Sequence, residues 1–184
     1  MKVTLFATVI LATILASAAN VKEAREPMPV RGCPDKKQTI ILARGISGGR
    51  DHFYATDFSE FSDPVVVRDT SRDAGRVFPS DATDFINTTP LNRYYSSEVD
   101  DHYYSTTRTD ATISIHGTTY DLEGPEAYVL TDLGYQSCIK AGVNVKPFIR
   151  FYSSAKKDHL YSTDRNEGRL AGYEWEGVSG YIFA

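Results

Sequence analysis

One hexapeptide occurs three times along the chain. Asp51-His52-Phe53-Tyr54-Ala55-Thr56 returns as Asp101-His102-Tyr103-Tyr104-Ser105-Thr106 and again as Asp158-His159-Leu160-Tyr161-Ser162-Thr163. The copies start 50 and then 57 residues apart. An arginine in an extended apolar setting precedes each one: Leu42-Ala43-Arg44, Leu91-Asn92-Arg93-Tyr94-Tyr95 and Phe148-Ile149-Arg150-Phe151-Tyr152. Polar turns such as Ser47-Gly48-Gly49-Arg50 and Ser153-Ser154-Ala155-Lys156-Lys157 separate the two parts. An alternating strand, a Gly/Ser turn and a second aromatic strand make a β-hairpin. A unit of this size cannot bury its own aromatic face, so the three copies must close on one another.

The downstream half of each unit repeats more loosely. Tyr120-Asp121-Leu122-Glu123-Gly124-Pro125-Glu126-Ala127-Tyr128-Val129 aligns with Tyr173-Glu174-Trp175-Glu176-Gly177-Val178-Ser179-Gly180-Tyr181-Ile182, and both read as a second hairpin with a Gly or Pro turn. In the first unit Gly75-Arg76-Val77-Phe78 and Asp84-Phe85-Ile86 hold similar places. Asp57 with Glu60, Thr107 with Asp110, and Asp164 with Glu167 have helix-capping spacing, which predicts a short helical turn in at least the third unit. Three units of about four strands predict an all-β fold: a β-trefoil-like closed domain of three internal repeats. A propeller needs more blades than three. The domain is expected over residues 37–184, with repeats at about 39–89, 90–145 and 146–184. All 12 tyrosines lie after residue 50, which separates this aromatic body from a differently built N-terminus.

Residues 1–18 read as a signal peptide: Lys2, an apolar run, then Ala16-Ser17-Ala18 as the cleavage site. The uncharged stretch at residues 3–19 is short for a membrane span, and no later segment is apolar enough for one. Residues 19–36 form a polar, Pro-containing tail with one cysteine. Secretion into an oxidising compartment favours one disulfide between Cys33 and Cys138, the only cysteines. Asn87-Thr88-Thr89 is an N-glycosylation acceptor, with Pro90 after it opposing occupancy. A net charge of -4 argues against nucleic acid as a partner.

The Asp-His-Phe/Leu/Tyr-Tyr-Ser/Ala-Thr hexapeptide, followed by the Gly-Tyr-x-x-Glu-Gly-x-x-Gly-Tyr pattern of residues 172–181, resembles a repeat of unknown function found in secreted fungal and bacterial proteins. The match is nearly complete in the third copy, good in the first half of the second, and limited to Asp51–Asp57 in the first. The resemblance implies a domain type and secretion, and carries no activity with it.

An Asp beside a His invites a catalytic reading. The chain, however, has no unpaired cysteine suited to act as a nucleophile, and neighbours on a strand point to opposite faces. No enzyme activity, no cofactor and no metal are expected. His52, His102 and His159 could hold a zinc ion if they converged, but structural histidines are the simpler reading. Carbohydrate recognition needs an aromatic face and polar groups beside it. The ligand-binding residues expected on that basis are Asp51, His52, Tyr54, Asp101, His102, Tyr104, Asp158, His159 and Tyr161, with the aspartates exposed and Tyr94 and Tyr152 nearby. The competing reading makes these tyrosines the barrel core. The expected function is a secreted, non-enzymatic, lectin-like module for glycans or cell-wall polysaccharide. The alternative is a protease inhibitor or protein-interaction module that uses residues 62–84, the least repeat-like stretch.

Overall fold

The structure, a computed structural model, describes residues 32–83 and 85–184. The segment read as a signal peptide and most of the polar tail lie outside the described residues. What is described is all-β, with an 11-stranded sheet system and two short α-helices.

All three hexapeptides form the second strand of a hairpin. The pairs are β1 (Ile40–Ser47) with β2 (Asp51–Ala55), β5 (Thr88–Ser96) with β6 (Asp101–Ser105), and β9 (Val145–Ser153) with β10 (Asp158–Ser162). Their registers agree. Arg44 lies opposite Tyr54, Arg93 opposite Tyr104, and Arg150 opposite Tyr161. The remaining strands are β3 (Val66–Arg68), β4 (Gly75–Val77), β7 (Thr112–Ile115), β8 (Thr118–Leu130) and β11 (Glu174–Phe183).

One expectation about the downstream halves needs correction. Residues 120–129 and 173–182 do not fold back as hairpins: each lies within or runs into one long strand, β8 or β11. Gly124 and Gly177 take φ of 130° and 153°, and the ladder to the neighbouring strand slips beside each of them. A glycine in that conformation next to an extra residue makes a β-bulge, which bends a strand without reversing it. Residues 62–84, the least repeat-like stretch, are partly built into the sheet. They hold β3 and β4, both paired to β1, although Val65 and Val67 remain exposed.

The strand path β2-β1-β4-β11-β8-β5-β6 is open, with β9 and β10 branching from β11, β3 from β1 and β7 from β8. At one end β4, β8 and β11 touch pairwise through single residue pairs: Arg76 with Phe183, Tyr181 with Leu130, and Phe78 with Tyr128. At the other end β2, β6 and β10 meet mutually. The central core takes matching positions from each unit: Leu42, Leu91 and Phe148; Tyr54, Tyr104 and Tyr161; Val77, Val129 and Ile182.

The two helices have distinct causes. Asp164 caps α2 (Arg165–Leu170) by accepting from the Asn166 N–H, as its spacing predicts. Asp57 caps a 3-10 turn at Phe58–Ser62 in the same way, whereas Thr107 and Asp110 start no helix. The second helix, α1 (Asp132–Lys140), was not expected from the sequence. Thr131 caps it, Asp132 and Lys140 suit its two ends, and it carries Cys138 to a disulfide with Cys33. None of the helices of the described residues is long and apolar enough to cross a membrane.

Candidate functional site

The residues singled out by the repeat converge, but inward. Each hexapeptide tyrosine hydrogen-bonds the backbone of another unit, in a closed cycle. The Tyr54 N–H donates to the Tyr104 hydroxyl at 2.9 Å, the Tyr104 N–H to Tyr161 at 2.6 Å, and the Tyr161 N–H to Tyr54 at 2.9 Å. In return each hydroxyl donates to a carbonyl: Tyr104 to Tyr54, Tyr161 to Tyr104, and Tyr54 to Tyr161. The three rings meet edge to face, with centroids 5.3–5.6 Å apart.

The aspartates and histidines follow the same cycle. Asp51 accepts from the backbone N–H and Nδ1 of His102, Asp101 from those of His159, and Asp158 from those of His52. The imidazole contacts are 2.6–2.7 Å long. Tyr120 adds a hydroxyl to Asp101, and Tyr173 adds one to Asp158. An Asp within one hexapeptide therefore never orients its own neighbour. It orients the histidine of the next unit, which fits the opposite-face geometry of a strand.

The exposure expected for Asp51, Asp101 and Asp158 is not found: they are 0%, 0% and 1% exposed. Tyr54, Tyr94, Tyr104 and Tyr161 are buried as well, so none of them offers a face to a sugar ring. His159 is buried, His102 is buried and His52 is half-buried. The physical reason is that the shared face of the repeat is the face on which the units meet. The three carboxylates lie within 4.8 Å of one another. Burial raises the pKa of Asp51, Asp101 raises it further, and the His102 bonds oppose both. Burial likewise drives the hydroxyls of Tyr54, Tyr104 and Tyr161 well up. The carboxylates are engaged with backbone and imidazole, so they act as ties between units. His52, His102 and His159 do not form a common metal-ligand group among the described residues.

The open surface offers two cavities near α2. The larger, about 630 Å³, is lined by Arg44, His52, Asp69, Arg72 and Glu167 among others. Its charges are spent on each other: Arg44 pairs with Asp69 at 2.8 Å and Glu167 at 2.7 Å, and Arg72 pairs with Glu167 at 2.7 Å. The second, about 410 Å³, is lined by Phe151, Arg165, Arg169, Tyr173 and Trp175. Here Trp175 stands 62% exposed over buried Phe151 and Tyr173. Arg165 and Arg169 are exposed, and neither guanidinium has an ion pair among the described residues. Lys156 sits over the Tyr173 ring at 4.5 Å.

A family profile described as a domain of unknown function, DUF5648, matches residues 35–130 and 133–184. The chain belongs to the DUF5648 family. No curated protein and no solved structure matches it.

In this DUF5648 domain the Trp175 cleft lies outside the three Asp-His-x-Tyr hexapeptides. Trp175 is the single tryptophan, on β11 one turn of chain away from α2. It lies directly opposite Phe151, on the strand face that it shares with Tyr173, beside the bulge at Gly177. Arg165 and Arg169 lie four apart on α2, which places them on one helix face. The signal available in the sequence was a lone Trp in the unit that also carries that Arg pair. Asn87, the glycosylation acceptor, is half-buried at φ 63° before β5, and its carbonyl accepts from Thr131.

Proposed function

We propose that the DUF5648 domain is a secreted, non-enzymatic carbohydrate-binding module whose ligand lies on the Trp175 cleft. The exposed indole beside two guanidinium groups that have no ion pair among the described residues carries this reading. A flat aromatic face suits the apolar side of a sugar ring, and planar guanidinium groups donate to ring hydroxyls or carboxylates. The local positive charge favours acidic polysaccharides, uronates in particular. The Cys33–Cys138 disulfide and the N-terminal segment support secretion. The cyclic contacts of three hairpins support a trefoil-like arrangement of three repeats, with the Asp-His-x-Tyr motif as its framework.

The test is binding to a polysaccharide panel that includes polyuronates. Trp175→Ala is expected to weaken retention at least ~10-fold, the loss of a stacking contact worth about 1.5 kcal/mol. Because the indole is exposed, thermal stability should stay near that of the parent chain. Undiminished retention in that variant removes the cleft from consideration, and no retention on any polysaccharide removes the glycan reading. A second reading, protein recognition through residues 62–84, is favoured by β3: it pairs only with β1 and leaves Val67 69% exposed.

A further inference from the structure

Away from the Trp175 cleft, three ligating side chains from different elements come together: His116, His159 and Glu176, one ligand atom from each and all within 4.8 Å of one another. His159 comes from β10, Glu176 from the bulge of β11, and His116 from the two-residue turn between β7 and β8. The His159 ring is fully buried, with Nδ1 held at 2.6 Å by Asp101. Nε2 has no hydrogen-bond partner, and it faces the Glu176 carboxylate at 3.5 Å. A buried ring nitrogen without a hydrogen-bond partner, aimed at a carboxylate, marks a place that a cation between them would satisfy.

The other groups fit a metal site. His116 Nε2 lies 2.5 Å from Glu176 Oε1. Its ring stacks on Tyr152 at 4.0 Å, which sets its plane. The Glu176 Oε2 atom accepts from Arg150 Nε at 2.8 Å, which fixes the carboxylate, and an ion would take the place of the hydrogen bond between Oε1 and His116 Nε2. Carboxylate-held histidine is the usual outer support of a zinc ligand, and Asp101 supplies it here, itself bonded by Tyr120. His116 also holds φ of 52° in a turn where Asn or Gly would be at ease.

We infer that His116, His159 and Glu176 bind a divalent transition-metal ion of the zinc type, with the fourth position open on the half-exposed His116 side. Two imidazoles and one carboxylate are a borderline donor set that prefers zinc to calcium or magnesium. Ligand atoms about 3.3 Å apart, as bonds of about 2.0–2.1 Å to zinc require, are reached by a small outward shift of the His116 turn. The neighbouring unit provides a comparison. There Glu123 stands 3.7 Å from His102 Nε2 and bonds Arg93, but no third ligand joins them among the described residues.

Calorimetric titration of zinc sulfate into the untagged, chelator-stripped full chain tests the assignment. One equivalent per chain is expected, with a micromolar or tighter dissociation constant. His116→Ala, in an exposed turn, should weaken it at least ~10-fold. Glu176→Gln should do likewise, and Glu123→Gln should leave it unchanged. Near-UV circular dichroism reports whether each variant is folded. Binding of wild-type strength in folded His116→Ala, or no binding at one equivalent, overturns the site.

Discussion

At the scale of single residues, the repeated tyrosine and aspartate work by satisfying backbone groups of another unit. Each Tyr hydroxyl accepts one buried N–H and donates to one buried carbonyl. Tyr104→Phe removes the partner of both Tyr54 groups, and the expected loss is about 2–6 kcal/mol in denaturant unfolding, from ~1–3 kcal/mol per orphaned group. Tyr54→Phe and Tyr161→Phe should cost similar amounts, because their contacts are equivalent. A loss confined to one of the three would contradict the cycle. Glu167 gives a pH-dependent counterpart. Burial alone would raise its pKa, but bonds from Ser162, Arg44 and Arg72 outweigh that and hold it below the ordinary 4.5. A carboxyl with a lowered folded-state pKa contributes fully above its unfolded value and loses that contribution as pH falls through the folded one. The unfolding midpoint should therefore drop as pH falls from about 5 through the lowered folded-state pKa, and Glu167→Gln should show a shallower drop across that window. Equal slopes for the two proteins would contradict a role for the Glu167 charge.

At the scale of elements, the first hairpin of each unit was legible because its two strands alternate and a Gly/Ser turn joins them. The second half was misread because Gly124-Pro125 and Gly177 have turn composition but make bulges. Local composition cannot separate a reversal from a bend when the neighbouring strand decides which one pairs. The helix α2 was legible from its Asp164 cap despite Gly168. That glycine is explained by packing: a Cβ there would stand 2.4 Å from the Phe151 ring, itself buried. Gly168→Ala should therefore destabilise the domain by about 1–3 kcal/mol, although alanine is the better helix former. A neutral or stabilising effect in thermal unfolding would show that α2 moves freely away from Phe151. The helix α1 was missed because its apolar positions are few and its Thr131 cap is an isolated signal.

At the scale of the whole molecule, the backbone ladder leaves an open path, so side chains and one covalent bond complete the assembly. The disulfide spans a sequence separation of 105 and ties the start of the described chain to α1. Reduction, or the Cys33→Ser/Cys138→Ser pair, should lower stability by about 4 kcal/mol on the chain-entropy account. A change under about 1 kcal/mol would mean that the unfolded chain is already held compact. The sequence by itself determined the all-β class, the three hairpins, the pairing of the only two cysteines and the capped α2. All of these are local in pattern or forced by count. Tertiary structure alone decided which way the motif faces. A period of two shows that one strand face is apolar, but not whether Asp, His and Tyr meet a ligand or the next unit. Closure of the units turned them inward, and the ligand positions proposed above, Trp175 with its arginines and the His116, His159 and Glu176 cluster, lie outside the shared Asp-Tyr face.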